Sequence, residues 1–219
     1  MIDWQSIVSL EIIAVKEQAK VYGPVIPRLV AASSVKFVAE KLNEEAPTVD
    51  TLEQAVNYIK KNQSRYPKAF TALGYGVIKA VSTLEGKSGA GTRLFKSIMK
   101  TVMESMGLKK VLGSVAGTAD AARKNTKFNE DMNVIQKGIT EISGDYNNAF
   151  EQIRGCDYTD VCTKLLQERI TRAAVGGSEC TYALSDAAAA AILTGVEHEY
   201  ELTSFKPPIC EYRVFQLEG

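Results

Sequence analysis

The chain has 219 residues and balances 26 Lys+Arg against 26 Asp+Glu, so its formal net charge is zero. Hydrophobic residues make up 45% and charged residues 24%, ordinary for a globular chain able to bury a full core without disulfides or metals. The balance argues against a nucleic-acid binder, and no uncharged apolar stretch of about 18 residues exists to span a membrane. Met1-Ile2-Asp3-Trp4 lacks the basic start and apolar run of a signal peptide, which makes the cytoplasm the expected location.

The first half reads as helices. Trp4, Ile7, Val8, Ile12, Val15 and Ala19 recur at helical spacing, and Tyr22 to Pro27 breaks that helix. A second helix is expected from Arg28 to Leu42. A third, near 51–64, is expected to be capped by Asp50 with Glu53. A fourth runs from Pro67 to Leu84. Gly86-Lys87-Ser88-Gly89-Ala90-Gly91 reads as a flexible link. It is no phosphate loop, because Val81 stands where the first glycine belongs and a helix precedes it. Thr92 opens a fifth helix with Leu94, Phe95, Ile98, Met99, Val102, Met103 and Met106 on one stripe, stopped by Gly107. Residues 108–125 are weakly patterned.

The pattern then changes. Met132–Ile142 and Asn148–Arg154 read as a hairpin. Asp157 and Asp160 open a helix that Gly176-Gly177 ends. Ser178 caps another, containing the Ala187–Ala191 run, and Gly195 ends it. Val196, His198, Tyr200 and Leu202 alternate with Glu197, Glu199, Glu201 and Thr203, which marks a half-buried strand. Cys210 to Phe215 alternates too. A turn near Pro207 pairs Tyr212 with Leu202, Val214 with Tyr200 and Arg213 with Glu201, and sets Cys210 opposite Ser204. The expected fold class is therefore α+β: N-terminal helices, then α-α-β-β-α-α-β-β, forming an antiparallel four-stranded sheet with helices packed on one side. Residues 1–64 form a helical extension and residues 65–219 the α+β domain.

Chemistry-bearing residues are few. All four cysteines, Cys156, Cys162, Cys180 and Cys210, fall in the last third. Cys162 and Cys180 sit on apolar stripes and read as packing residues. Cys156 precedes a helix start, where unpaired N–H groups favour a thiolate, so it is the best candidate for a reactive thiol. Cys156, Cys180 and Cys210 lie at element ends that converge in such a layer, which keeps a zinc site in view without the C-x2-C knuckles of structural zinc. His198, the one histidine, lies on an apolar strand face and reads as a satisfied core residue. It sits roughly 20 Å from Cys210 at strand rise, too far to share a metal.

Cys180-Thr-Tyr-Ala-Leu-Ser-Asp-Ala-Ala-Ala-Ala-Ala-Ile, Val196–Phe205 and Ile209-Cys210-Glu-Tyr-Arg-Val-Phe215 resemble the small-residue helix and last hairpin of the 4-vinyl reductase domain superfamily, which includes small subunits of the TRAPP vesicle-tethering complex. Thr203 and Pro207-Pro208 stand where that family carries a second cysteine and a turn glycine. The resemblance implies a pocket between helices and sheet for a small, mostly apolar molecule, a sensory, carrier or regulatory role, and pairing into homodimers. Phe95, Met99, Met103, Tyr200 and Tyr212 are the expected pocket walls, and the first helix the expected dimer contact. Arg154-Gly155-Cys156-Asp157-Tyr158, Cys180 with Asp186, and Cys210 are similar in layout to the L-2-amino-thiazoline-4-carboxylic acid hydrolase-like family. That likeness implies a thiol-dependent or thiazoline-type hydrolase using Cys156 or Cys180 with Asp186. An assembly scaffold like the TRAPP subunits is the third alternative.

Overall fold

Helix breakers and caps divide the first half. A computed structural model describes residues 4–85, 90–170 and 180–217, with the side chains of residues 4, 6, 85, 90–95, 98 and 181 outside that description. The first amphipathic segment forms α1 (Trp4–Tyr22). Gly23, at φ +80°, ends it in the left-handed region. α2 (Val25–Leu42) begins three residues before the expected Arg28. Pro27 fits inside its first turn because an N–H there has no helical acceptor to lose.

α3 (Leu52–Asn62) is capped one residue later than expected. Thr51 Oγ1 accepts from Gln54 N at 3.2 Å, and Gln54 Oε1 accepts from Thr51 N at 3.1 Å. Asp50 instead pairs with Arg28 at 2.8 Å. A 3-10 turn, Ala69–Thr71, leads into α4 (Ala72–Glu85). Gly76 lets α4 lie against α2, because a Cβ there would stand 2.2 Å from Ser34 Oγ and 2.7 Å from the Val30 carbonyl oxygen. α5 (Ala90–Ser105) follows, and the weakly patterned stretch becomes α6 (Leu108–Leu112) and α7 (Thr118–Asp131).

The first strand, β1 (Thr140–Gly144), starts well after Met132 and pairs with β2 (Asn148–Arg154). α8 (Thr159–Gln167) and α9 (Thr181–Thr194) come next, then β3 (His198–Lys206) and β4 (Ile209–Gln216). Gly176, Gly177 and Ser178 lie outside the described residues. Cys180 is the N-cap of α9, and Gly195 is its C-cap at φ +79°. The sheet is antiparallel throughout, in the order β1-β2-β4-β3. Leu202 faces Tyr212, Glu201 faces Arg213 and Tyr200 faces Val214, the register expected from alternation. A bulge at Thr203 then shifts the pairing, so Cys210 faces Phe205 and not Ser204.

One face of the sheet is covered. Ala149, Glu151 and Ile153 of β2, Cys210, Tyr212 and Val214 of β4, and His198 and Tyr200 of β3 are all buried. α7 and α9 pack over them. The buried alanines Ala187 to Ala190 let α9 lie close between the sheet and α5. Phe150, on the opposite face, is exposed. One core cluster joins Val15 of α1, Ile26 and Val30 of α2 and Val77 of α4 to Ile153, Tyr200 and Val214 of the sheet. Helices before residue 65 thus share the core of the sheet. The apolar face of α1 is used within the chain, with Ile7, Val8, Ala14 and Val15 buried. No helix among the described residues is long and apolar enough to cross a membrane.

Candidate functional site

Three helices leave a space between them. The stripe Met99, Val102 and Met103 of α5, with Met106 just beyond it, faces Ile7, Leu10, Glu11 and Ala14 on one face of α1. Asn125, Phe128 and Asn129 of α7, with Ile135 beyond it, close the third side. Tyr158 and Tyr182 complete the wall. The cavity measures about 540 Å³, within the range of small-molecule sites. Its rim carries Ile13, Met106 and Met132, each exposed.

Glu11 is the carboxyl group in this wall. Burial pushes its pKa up to about 7. Its Oε2 is buried without a hydrogen-bond partner. Gly74 of α4 makes the room: a Cβ there would come 3.0 Å from the Tyr158 ring and 3.3 Å from Glu11 Oε1. Tyr158 meets Tyr182 edge to face at 5.8 Å and 83°. Burial raises both phenols well above their ordinary range, so they stay protonated.

A second acid group lies behind the cavity, under α9. Tyr212 Oη is 2.8 Å from Glu151 Oε2 and 2.7 Å from Asp186 Oδ2. A phenol has one proton to donate, so both contacts are hydrogen bonds only if one carboxyl is protonated. Burial and the neighbouring Asp186 carboxylate push Glu151 up strongly, which makes it the protonated member. Asn125 Nδ2 donates to Asp186 Oδ1 at 2.7 Å and reaches Ser185 Oγ at 3.3 Å. Asn125 and Ser185 also face the cavity, so this network forms part of its outer wall.

The expected site residues divide. Met99 and Met103 line the cavity. Phe95 has its side chain outside the described residues. Tyr200 and Tyr212 do not line this cavity: they sit on the covered face of the sheet, with α9 between them and α5. Asp186 is engaged by Tyr212 and Asn125.

The four thiols are free and buried. Burial, with smaller contributions from Cys162, Cys156 and Cys210, disfavours ionisation of Cys180. Cys156 does receive the backbone N–H of Tyr158 at its helix start, as its position suggested. Burial outweighs that donor and pushes the thiol up to about 12, which favours the protonated form at neutral pH. Cys180 Sγ accepts from Ala183 N at 3.5 Å as the cap of α9, and burial holds it protonated too. Among the described residues no three Cys, His, Asp or Glu side chains come together to hold a metal, the trio Cys156, Cys180 and Cys210 included. His198 is a satisfied core residue. Its Nδ1–H donates to the Val196 carbonyl at 2.7 Å, Nε2 lies 2.8 Å from Thr118 Oγ1, and burial keeps the ring neutral.

Glu11, Tyr158 and Tyr182 were not singled out for this cavity from the sequence. Glu11 carried a usable signal: it stands four residues after Ile7 and four before Val15, a charge in the middle of an apolar stripe. Comparison with protein-family models, curated proteins and solved structures returned no match.

Proposed function

We propose that this chain binds a small, mostly apolar molecule in the cavity between α1, α5 and α7, in a carrier, sensory or regulatory role. The observation that carries this reading is the cavity itself, about 540 Å³ with an apolar, methionine-rich lining and an exposed apolar rim. An apolar occupant of such a space gains dispersion contacts with every wall. The resemblance of residues 65–219 to the 4-vinyl reductase superfamily points the same way, with α1 from outside that region supplying one wall. A thiol hydrolase needs an accessible thiolate, and Cys156 and Cys180 are buried and protonated.

The test fills the cavity. Met103→Trp adds ring volume at a wall residue, so it should weaken binding of the fluorescent apolar probe N-phenyl-1-naphthylamine by about tenfold or more. Circular dichroism would establish that the variant is folded. A folded Met103→Trp protein that binds the probe as the parent does would place the site elsewhere.

A further inference from the structure

The geometry points to a ligand that carries a protonated amine on its apolar body, with the Glu11 carboxylate as its counter-charge. This rests on the cavity being the binding site. Among the described residues lining that cavity there is one carboxyl group and no Lys, Arg or His. Glu11 forms no ion pair among the described residues, and its Oε2 has no hydrogen-bond partner. A charge held out of water without a partner is costly, and a methylene chain in its place would carry no such cost. Gly74 nevertheless leaves the carboxyl its space.

An ammonium group supplies what is missing: a positive charge and several N–H donors. The rings of Tyr158 and Tyr182 stand in the same wall, and aromatic rings are favourable neighbours for a cation. A carboxylate-headed ligand would meet repulsion at Glu11. An alcohol would donate one hydrogen bond and leave the charge uncompensated. The hydrocarbon part of the ligand fits against Met99, Met103, Phe128 and Ile135.

Isothermal titration of the full chain with octylamine, 1-octanol and octanoate tests this. Near pH 8 octylamine should bind about tenfold or more tightly than octanol, and octanoate most weakly. Glu11→Gln should abolish the preference for the amine and leave octanol binding within about threefold of the parent. Octylamine affinity should also fall by about tenfold between pH 8 and pH 6, as Glu11 takes up its proton, while octanol binding stays flat. That profile needs no variant.

The Tyr158 phenol interacts with Glu11 and the Tyr182 phenol lies in the same wall; both stay protonated throughout this range. The Glu151–Asp186 pair lies behind Asn125. A pH dependence that survives in Glu11→Gln would belong to that pair and overturn the role of Glu11. Equal binding of octylamine and octanol to the parent would overturn the amine and leave the cavity reading standing. Binding of none of the three would sink both.

Discussion

Glu151 of β2 and Asp186 of α9 meet with the Tyr212 hydroxyl between them, whereas Glu11 stands in a cavity wall with an oxygen that no group meets. Burial raises the pKa in both places. In the first, one shared proton, a phenol and the Asn125 amide turn two acids into a bridge between α9, β2, β4 and α7. In the second, the residue lines a space large enough for another molecule. The difference separates an acid that holds the fold together from an acid whose complement comes from outside the chain. That contrast fails if the bridge can be cut cheaply, or if Glu11 proves indifferent to its own charge.

The largest effect is expected at the bridge. Asp186→Ala removes two hydrogen bonds, leaves Tyr212 with Glu151 alone and Asn125 with only its longer contact to Ser185, and opens a small void. Equilibrium unfolding in urea should show a loss of about 4 kcal/mol. A loss under about 1 kcal/mol would mean the network adds little beyond packing.

How legible these two places were in the sequence follows from their physics. Strand alternation encodes which face is covered, so the pairing of Tyr200, Glu201 and Leu202 with Val214, Arg213 and Tyr212 could be read directly. The bulge at Thr203 could not, because an extra residue in a strand leaves no mark on alternation until its partner is known. Met99 and Met103 were readable as wall residues because a helical stripe shows its own apolar face. The pairing of Glu151 with Asp186 joins a strand to a helix 35 positions later, and nothing local in either segment signals it. The first-half helix ends shifted by a few residues for a similar reason. Thr51 and Asp50 are both able caps, and Arg28, far along the chain, takes Asp50.

An intermediate effect is expected at Glu11, and its sign depends on pH. Its folded pKa of about 7 lies above the ordinary carboxylate value of 4.5, so the folded chain keeps a proton that the unfolded chain releases. Stability should therefore fall as pH rises from about 4.5 to about 7, with the full cost present above that window and none below it. Linkage sets an upper bound of about 3 kcal/mol, and contact with an open cavity reduces it to about 2 kcal/mol. Glu11→Gln removes the titrating group. Urea midpoints should show the variant more stable than the parent near pH 8 and equal to it near pH 4. The same shift at both pH values would assign the effect to packing and not to charge.

The smallest effect is expected at a carboxylate that is neither buried nor alone. Glu201 on β3 lies across from Arg213 on β4, with Oε1 3.2 Å from Nε. The contact is close but poorly aligned, since Nε makes no hydrogen bond. The guanidinium also rests over the Phe215 ring at 4.6 Å, so the ion pair is not what holds Arg213 in place. Both side chains are about one-third exposed, where water screens the attraction and ordering two long side chains offsets much of it. Glu201→Gln should therefore change stability by less than about 0.5 kcal/mol and respond little to salt. A loss as large as that expected for Asp186→Ala would mean that exposure does not rank the carboxyl groups of this chain, and the contrast between bridge and cavity would lose its physical basis.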